Sequence, residues 1–442
     1  MRGQVAILTA ILLPILIAAL GLAIDSGMGY LLKARLNLAV DSAGIAAARA
    51  VTTGATQPEQ VANAKIAAKK FFDANIASGY LGSNVTYFDP VITFDKGLIT
   101  ISTSAKAVVE VSLMKILGFT VLNVDAQAQT VRKDLDMVFV VDTTGSLSSV
   151  EPQVKASAEA FLSKFNVTSD RVALVHFAVG GVVDVPFKAD QSRGFDRAAM
   201  NAKINAYNFG ATTNYSEGLW QARNQLNNVI QKANRSSLRV IVFFSDGAPN
   251  AFGAYFSFKN NSCSEPGVIA TGDNASGTPQ GLFKFDQQNQ QMTGNCYRGA
   301  AIGGNLNSSA VPPWYNAHAV TDQEFPLVPG TANMRAVDDS AGWANLNRIA
   351  RNLAEEMAEK SRSEGVYIYT LGLGPQARAG TGPDAETGET LLKNMAHTVA
   401  STKFNLPQYA GQPVGDYCWA ATVDDLGPCF SQLASQILRI SR

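Results

Sequence analysis

Charge is scarce and balanced. Thirty-six basic residues stand against 36 acidic ones, and charged residues make up 16% of the 442-residue chain. Proteins that grip nucleic acid do so through an excess of Lys and Arg, so zero formal charge excludes a general electrostatic hold on a polyanion. Histidine is rarer still, with three copies (His176, His318 and His397) at spacings that form no metal-ligand set with the cysteines. His176 falls within an apolar strand-like run and reads as a packed core residue. The sequence lacks a Gly-x-x-x-x-Gly-Lys loop, a Gly-x-Ser-x-Gly elbow and a His-Glu-x-x-His helix, which removes the phosphate-loop, nucleophile-elbow and zincin chemistries. The expectation is a protein that binds rather than an enzyme. There are four cysteines, Cys263, Cys296, Cys418 and Cys429. Their even number is compatible with two local disulfides and an oxidising compartment, the alternative being four buried thiols.

What is abundant is apolar sequence, 46% of the chain. Val5–Ile24 (VAILTAILLPILIAALGLAI) carries no charge and is long enough to cross a bilayer. It exceeds the apolar core of a signal peptide, and no Ala-x-Ala cleavage site directly follows it, so a retained anchor is expected. The helical pattern continues through Lys33-Ala34-Arg35-Leu36 to about residue 53, and 50 helical residues would reach ~75 Å. Residues 1–53 are therefore read as anchor and extended helix, and 54–133 as a small α+β spacer. In the spacer a helix is expected at Pro58–Ala77, followed by short strands at Val85–Phe88, Val91–Phe94, Leu98–Ser102 and Ala107–Val111.

From Asp134 strands and helices alternate. Strands are expected at Asp136–Val141, Arg171–Val179, Val182–Phe187, Leu238–Phe244 and Val366–Leu373. Helices are expected at Val150–Phe165, Phe195–Ala206, Ser216–Ala233, Ser340–Arg362, Thr387–Ala400 and Asp424–Ile440. This order implies an α/β fold, a doubly wound and mostly parallel sheet covered by helices, with Val182–Phe187 as an antiparallel edge strand. Residues 248–338 interrupt it with Asn, Gly, Ser and Pro. So long a stretch inside a compact domain is better read as an inserted subdomain or lid than as a loop. Its aromatics are expected to form a small core stapled by Cys263 and Cys296, with Trp314-Tyr315 as the exposed pair.

Three polar clusters follow strands of this sheet: Asp142-Thr143-Thr144-Gly145-Ser146, Thr213-Asn214-Tyr215-Ser216-Glu217-Gly218-Leu219, and Ser245-Asp246-Gly247. In open parallel sheets ligand sites gather at the carboxyl ends of strands. Asp142, Thr144 and Ser146 alternate along one turn; Thr213 adds a hydroxyl, or Thr212 beside it does; Asp246 adds a second carboxylate. Oxygen donors of this kind suit hard cations, Mg²⁺ first and Mn²⁺ or Ca²⁺ as alternatives. Five protein ligands leave one octahedral position open for a partner's Asp or Glu.

The pattern resembles the metal-ion-dependent adhesion site (MIDAS) of von Willebrand factor A domains, with Thr144 where family sequences commonly carry Ser. The opening Arg2-Gly3-Gln4-Val5-Ala6-Ile7, Gly21-Leu22-Ala23-Ile24-Asp25 and the helix from Lys33 to Ala50 resemble the TadE/TadG-like segment of tight-adherence (Flp) pilus assembly proteins. Anchor, spacer and a von Willebrand A domain over residues 134–442 together resemble TadG. The resemblance implies a single-pass protein of the bacterial inner membrane with its bulk in the periplasm. It also implies docking onto other pilus assembly or envelope proteins, and no nucleic acid. Three alternatives remain: a surface adhesin with the same metal site, a structural tether in which that site is vestigial, and a hydrolase using Asp142 and Asp246 as paired carboxylates.

Overall fold

A computed structural model describes residues 2–51, 57–95, 98–133, 135–190, 192–229, 238–257, 264–271, 280–284, 311–327 and 342–440. The chain divides after Lys133 into two compact units.

In the first unit, helix α1 (Arg2–Ala50) runs unbroken through Pro14, and α2 (Gln57–Asn75) follows it. The strands β1 (Asn84–Asp95), β2 (Leu98–Glu110) and β3 (Val121–Lys133) form an antiparallel sheet in sequence order. The four short strands expected from the sequence are thus two long ones. The β1 ladder breaks only at Asp89-Pro90, where the register shifts between Phe88 and Val91. Proline lacks the donor a ladder needs, and a bulge absorbs it. Along β2 the buried face is Ile101, Thr103, Ala105, Ala107 and Val109, an alternation whose middle is too small and polar to read as strand. Those residues share one core with Leu36, Ala39, Val40, Ala43 and Ala47 of α1, so the later half of α1 belongs to the module rather than preceding it. Small residues bring helix and sheet close. A Cβ on Gly44 would lie 2.5 Å from the Thr130 hydroxyl.

The second unit begins with β4 (Leu135–Asp142), α3 (Glu151–Leu162), β5 (Arg171–Phe177), β6 (Gly181–Val185), α4 (Arg197–Asn205), α5 (Tyr215–Asn227) and β7 (Leu238–Ser245). An inserted antiparallel sheet follows, made of β8 (Ala251–Ser257), β9 (Ser264–Ala270) and β10 (Gln280–Phe283). Then come α6 (Gly342–Ser363), β11 (Val366–Leu373), the two-residue ribbon β12 (Gly380–Thr381) and β13 (Glu386–Thr387), α7 (Gly388–Ala396), β14 (Tyr417–Ala420) and α8 (Leu426–Ile440).

The main sheet has the order β14-β11-β7-β4-β5-β6. All its pairings are parallel except β5 with β6, the antiparallel edge expected from the short connection. β4, β5 and β7 are buried along their whole length, as strands covered by helices on both faces must be. The edge strand β14 went unrecognised in sequence because four residues between loops carry too little pattern.

Among the described residues, most of the insertion's buried apolar side chains pack into the core of the main domain rather than into a separate one. Phe252, Phe256, Ile269, Val311, Tyr315, Phe325 and Leu327 join the cluster that also holds Leu219, Leu226, Ile349 and Leu353. Tyr315 is buried, against the exposure expected for it. Its hydroxyl donates to Glu217 Oε1 at 2.7 Å, His318 Nε2 meets Glu217 Oε2 at 3.0 Å, and His318 stacks on Trp220 at 3.5 Å. A buried carboxylate needs such partners, and they tie residues 311–327 to α5. Cys418 and Cys429 form a disulfide. Cys263, Cys296 and Phe258 lie outside the described residues.

Candidate metal site

β4 and β7 are neighbours, so the residues at their carboxyl ends meet. Asp142 closes β4, and Ser245 closes β7 with Asp246 just beyond. Both carboxylates are buried. The turn after Asp142 folds back so that the Thr144 amide donates to Asp142 Oδ1 at 2.7 Å, while the Ser245 hydroxyl donates to Asp142 Oδ2. Thr144 Oγ1 and Ser146 Oγ are 3.2 Å apart, and Ser146 Oγ donates to Asp246 Oδ1 at 2.8 Å. Ser245, Asp142, Thr144, Ser146 and Asp246 thus form one continuous chain of hydrogen bonds.

The electrostatics of this chain are unbalanced. Burial first, and the negative charge of Asp246 second, push the Asp142 carboxyl up to about 7; hydrogen bonds from Ser245 and Thr144 pull it back only in part. Two carboxylates in one low-dielectric pocket cannot both ionise cheaply unless a cation joins them.

Residues 136–268 match the von Willebrand factor type A domain model, and the match begins at β4 and spans all three polar clusters. The chain carries a von Willebrand factor type A domain. Residues 3–50 match the model described as putative Flp pilus-assembly TadE/G-like. Among solved structures, the pilus adhesin SpaC from Lactobacillus rhamnosus GG in its open conformation is 14% identical. That likeness covers 81% of this chain and 34% of SpaC, with a TM-score of 0.38. The vWF domain of the type V pili tip protein Mfa5 from Porphyromonas gingivalis is 17% identical, over 71% of this chain and 98% of that one, with a TM-score of 0.38. Proximal thread matrix protein 1 from the mussel byssus, with a zinc-occupied MIDAS motif, is 14% identical over 69% of this chain and 46% of that one (TM-score 0.34). No curated protein matches the chain.

Within the von Willebrand A domain, Asp142, Thr144, Ser146 and Asp246 are brought together by the hydrogen bonds above. The loop that carries Thr213 meets the turn after β4 through the backbone of Gly210 and Ala211. Gly210 N donates to the Thr143 carbonyl at 2.9 Å, and Gly145 N donates to the Ala211 carbonyl at 3.2 Å. Ala211 takes a left-handed φ of 62°, a conformation that costs a non-glycine residue and is held here by those two bonds. A Cβ on Gly145 would lie 3.3 Å from the Ala211 oxygen, so glycine lets the loops approach. The Thr213 amide donates to Asn250 Oδ1 at 2.9 Å, and the amides of Asn250 and Ala251 donate back to the Thr213 carbonyl at 2.9 and 3.1 Å. The first residues of the insertion therefore clamp the threonine loop. The Thr212 hydroxyl is buried without a hydrogen-bond partner, which leaves two hydroxyls on this loop as candidates.

Sequence reasoning missed the roles of Ser245 and Asn250. The Ser245 hydroxyl orients Asp142, and Asn250 fixes Thr213; neither fits a ligand motif, and only the pairing of β4 with β7 and the path of the insertion reveal them. All three histidines are engaged elsewhere. His176 Nδ1 pairs with Asp184 at 2.7 Å, His318 with Glu217, and His397 Nδ1 faces the Pro413 carbonyl at 3.3 Å.

Proposed function

We propose that this chain is a membrane-anchored, metal-dependent docking component of Flp/Tad pilus assembly, and that it binds rather than catalyses. The observation that carries this reading is the chain of two buried carboxylates and three hydroxyls at the adjoining ends of β4 and β7. Asp142, Thr144, Ser146, Thr213 and Asp246 would hold a divalent cation. Their all-oxygen chemistry fits Mg²⁺, with Mn²⁺ or Ca²⁺ able to use the same donors. The cation supplies a positive centre for a partner's Asp or Glu. The protein's own contribution is to fix the donors, exclude water from Asp142 and leave the exposed Ser146 edge open to the partner.

The TadE/G-like match over residues 3–50 supports pilus assembly as the context, and one helix among the described residues is long and apolar enough to cross a membrane. The Cys418–Cys429 disulfide supports a periplasmic location for the bulk of the chain, since such bonds persist in oxidising compartments. Binding is favoured over hydrolysis because the two carboxylates are joined with neutral hydroxyls into an all-oxygen donor set of the kind that holds a hard cation.

The test is capture of envelope proteins on the immobilised full-length chain in detergent, with Mg²⁺ or with chelator. Metal-dependent capture that Asp142→Ala abolishes is the expected result. Identical capture in chelator would refute docking through a cation. Protease accessibility in spheroplasts checks the orientation, with cleavage of the von Willebrand A domain from outside expected.

A further inference from the structure

The turn joining β2 to β3 is apolar where a solvent-facing turn is ordinarily polar. Residues 112–120 read Ser-Leu-Met-Lys-Ile-Leu-Gly-Phe-Thr. Ile116 is 59% exposed, Leu117 48% and Phe119 55%, and Val121 beside them is 43% exposed. A cluster of large apolar side chains presented together on one short turn marks a contact surface.

Where this turn sits on α1 identifies what covers it. The buried carboxylate of Asp25 accepts the backbone amides of Ser112 at 3.3 Å, Leu113 at 3.0 Å and Met114 at 2.7 Å. One helical turn earlier, a Cβ on Gly21 would fall 2.7 Å from Leu113 Cβ, so only glycine lets the turn lie against the helix there. Gly21 belongs to the uncharged run Val5–Ile24 and stands about 6 Å before Asp25 along the axis. The turn is therefore clamped beside the last turn of the apolar run. Leu20, Leu22 and Ile24 are exposed on the helix around it, continuing the apolar surface.

We propose that the β2–β3 turn is a second membrane contact, in which Ile116, Leu117, Phe119 and Val121 enter the edge of the hydrocarbon layer alongside α1. This rests on the reading that Val5–Ile24 spans the bilayer. Asp25, its charge met by three amides, holds the turn at that depth. Lys115, exposed on the same turn and 3.6 Å from Glu110, has the long stem that lets an ammonium reach headgroup phosphates while its neighbours stay in the apolar layer. Lipid is the occupant because the patch is continuous with the spanning helix at Gly21.

The experiment uses the full-length chain in phosphatidylcholine vesicles with or without lipids brominated on their acyl chains. Tryptophan is introduced at Phe119, Leu20 or Phe88, and bromine quenching is read as loss of fluorescence relative to the unsubstituted chain. Phe88 is an equally exposed aromatic on β1. It pairs with Ser104, seven residues along β2 from Val111, or about 23 Å away at strand rise. Phe119→Trp and Leu20→Trp are expected to lose fluorescence and Phe88→Trp to keep it. Quenching at Leu20→Trp with Phe119→Trp as bright as Phe88→Trp would overturn the second contact and leave the anchor standing, the outcome expected if a protein covers the patch. No quenching at Leu20→Trp would overturn the anchor and the proposal together.

Discussion

The two ends of strand β4 carry the same side chain in equal burial and opposite circumstances. Asp136 near the amino end is 1% exposed and Asp142 at the carboxyl end is 0% exposed. Asp136 is met by two guanidinium groups, Arg171 Nη1 at 3.1 Å and Arg193 Nη1 at 2.9 Å. Arg171 reaches it directly because β4 and β5 pair Asp136 with Arg171 in register. Asp142 instead meets hydroxyls, an amide and, through Ser146, a second carboxylate. The amino end is an electrostatically finished structure. At the carboxyl end two carboxylates are joined through hydroxyls and an amide, the oxygen donors proposed above to hold a cation.

The largest expected effect breaks the finished end. Asp136→Ala leaves Arg171 buried without its carboxylate and should cost about 3–5 kcal/mol of stability, the usual penalty for removing one partner of a buried pair. Chemical denaturation with and without Mg²⁺ checks it, and the loss should be the same in both. At the other end, Ser245→Ala removes the hydroxyl that orients Asp142 and should weaken Mn²⁺ or Mg²⁺ binding by about 10–100-fold, read by titration calorimetry, with the fold retained.

Smaller and opposite in sign is Asp142→Asn without metal. It relieves a carboxylate that burial and Asp246 hold up to about 7. A group whose folded pKa is raised destabilises the fold once pH climbs above its unfolded value, fully so above the folded one. The substitution should therefore leave stability equal or higher at pH 8, whereas the same change at Asp136 lowers it. A loss of several kcal/mol for Asp142→Asn in chelator would erase the contrast. The smallest effect sharpens the ligand set. Thr213→Ala should weaken metal binding and Thr212→Ala should leave it unchanged; the reverse would assign the orphaned Thr212 hydroxyl to the cation.

Much of the sheet was legible because its central strands are buried on both faces and appear as unbroken apolar runs, such as Met137-Val138-Phe139-Val140-Val141. The first and third polar clusters stood out because each interrupts such a run where a strand ends. The second, expected to follow a strand as well, instead follows α4 and opens α5, with Asn214 capping the helix. Long-range packing was less legible. Ala105 and Ala107 look like poor strand residues until α1 lies on them with small residues of its own. Tyr315, in a sequence rich in loop formers, is buried because Glu217, 98 residues earlier, needs its hydroxyl. Ser245 and Asn250 carry no motif. Their roles follow from which strands pair and where the insertion leaves the sheet.

The central claim, that Asp142 and Asp246 await a divalent cation, is tested most directly by thermal unfolding of the full-length chain in detergent across a Mg²⁺ titration, beside Asp142→Ala. Mass-action linkage gives about 2.7 kcal/mol of stabilisation at 100 times the dissociation constant. A midpoint that rises with Mg²⁺ in the parent chain and stays fixed in Asp142→Ala is the predicted result. Two chains that respond identically, or not at all at millimolar metal, would contradict it.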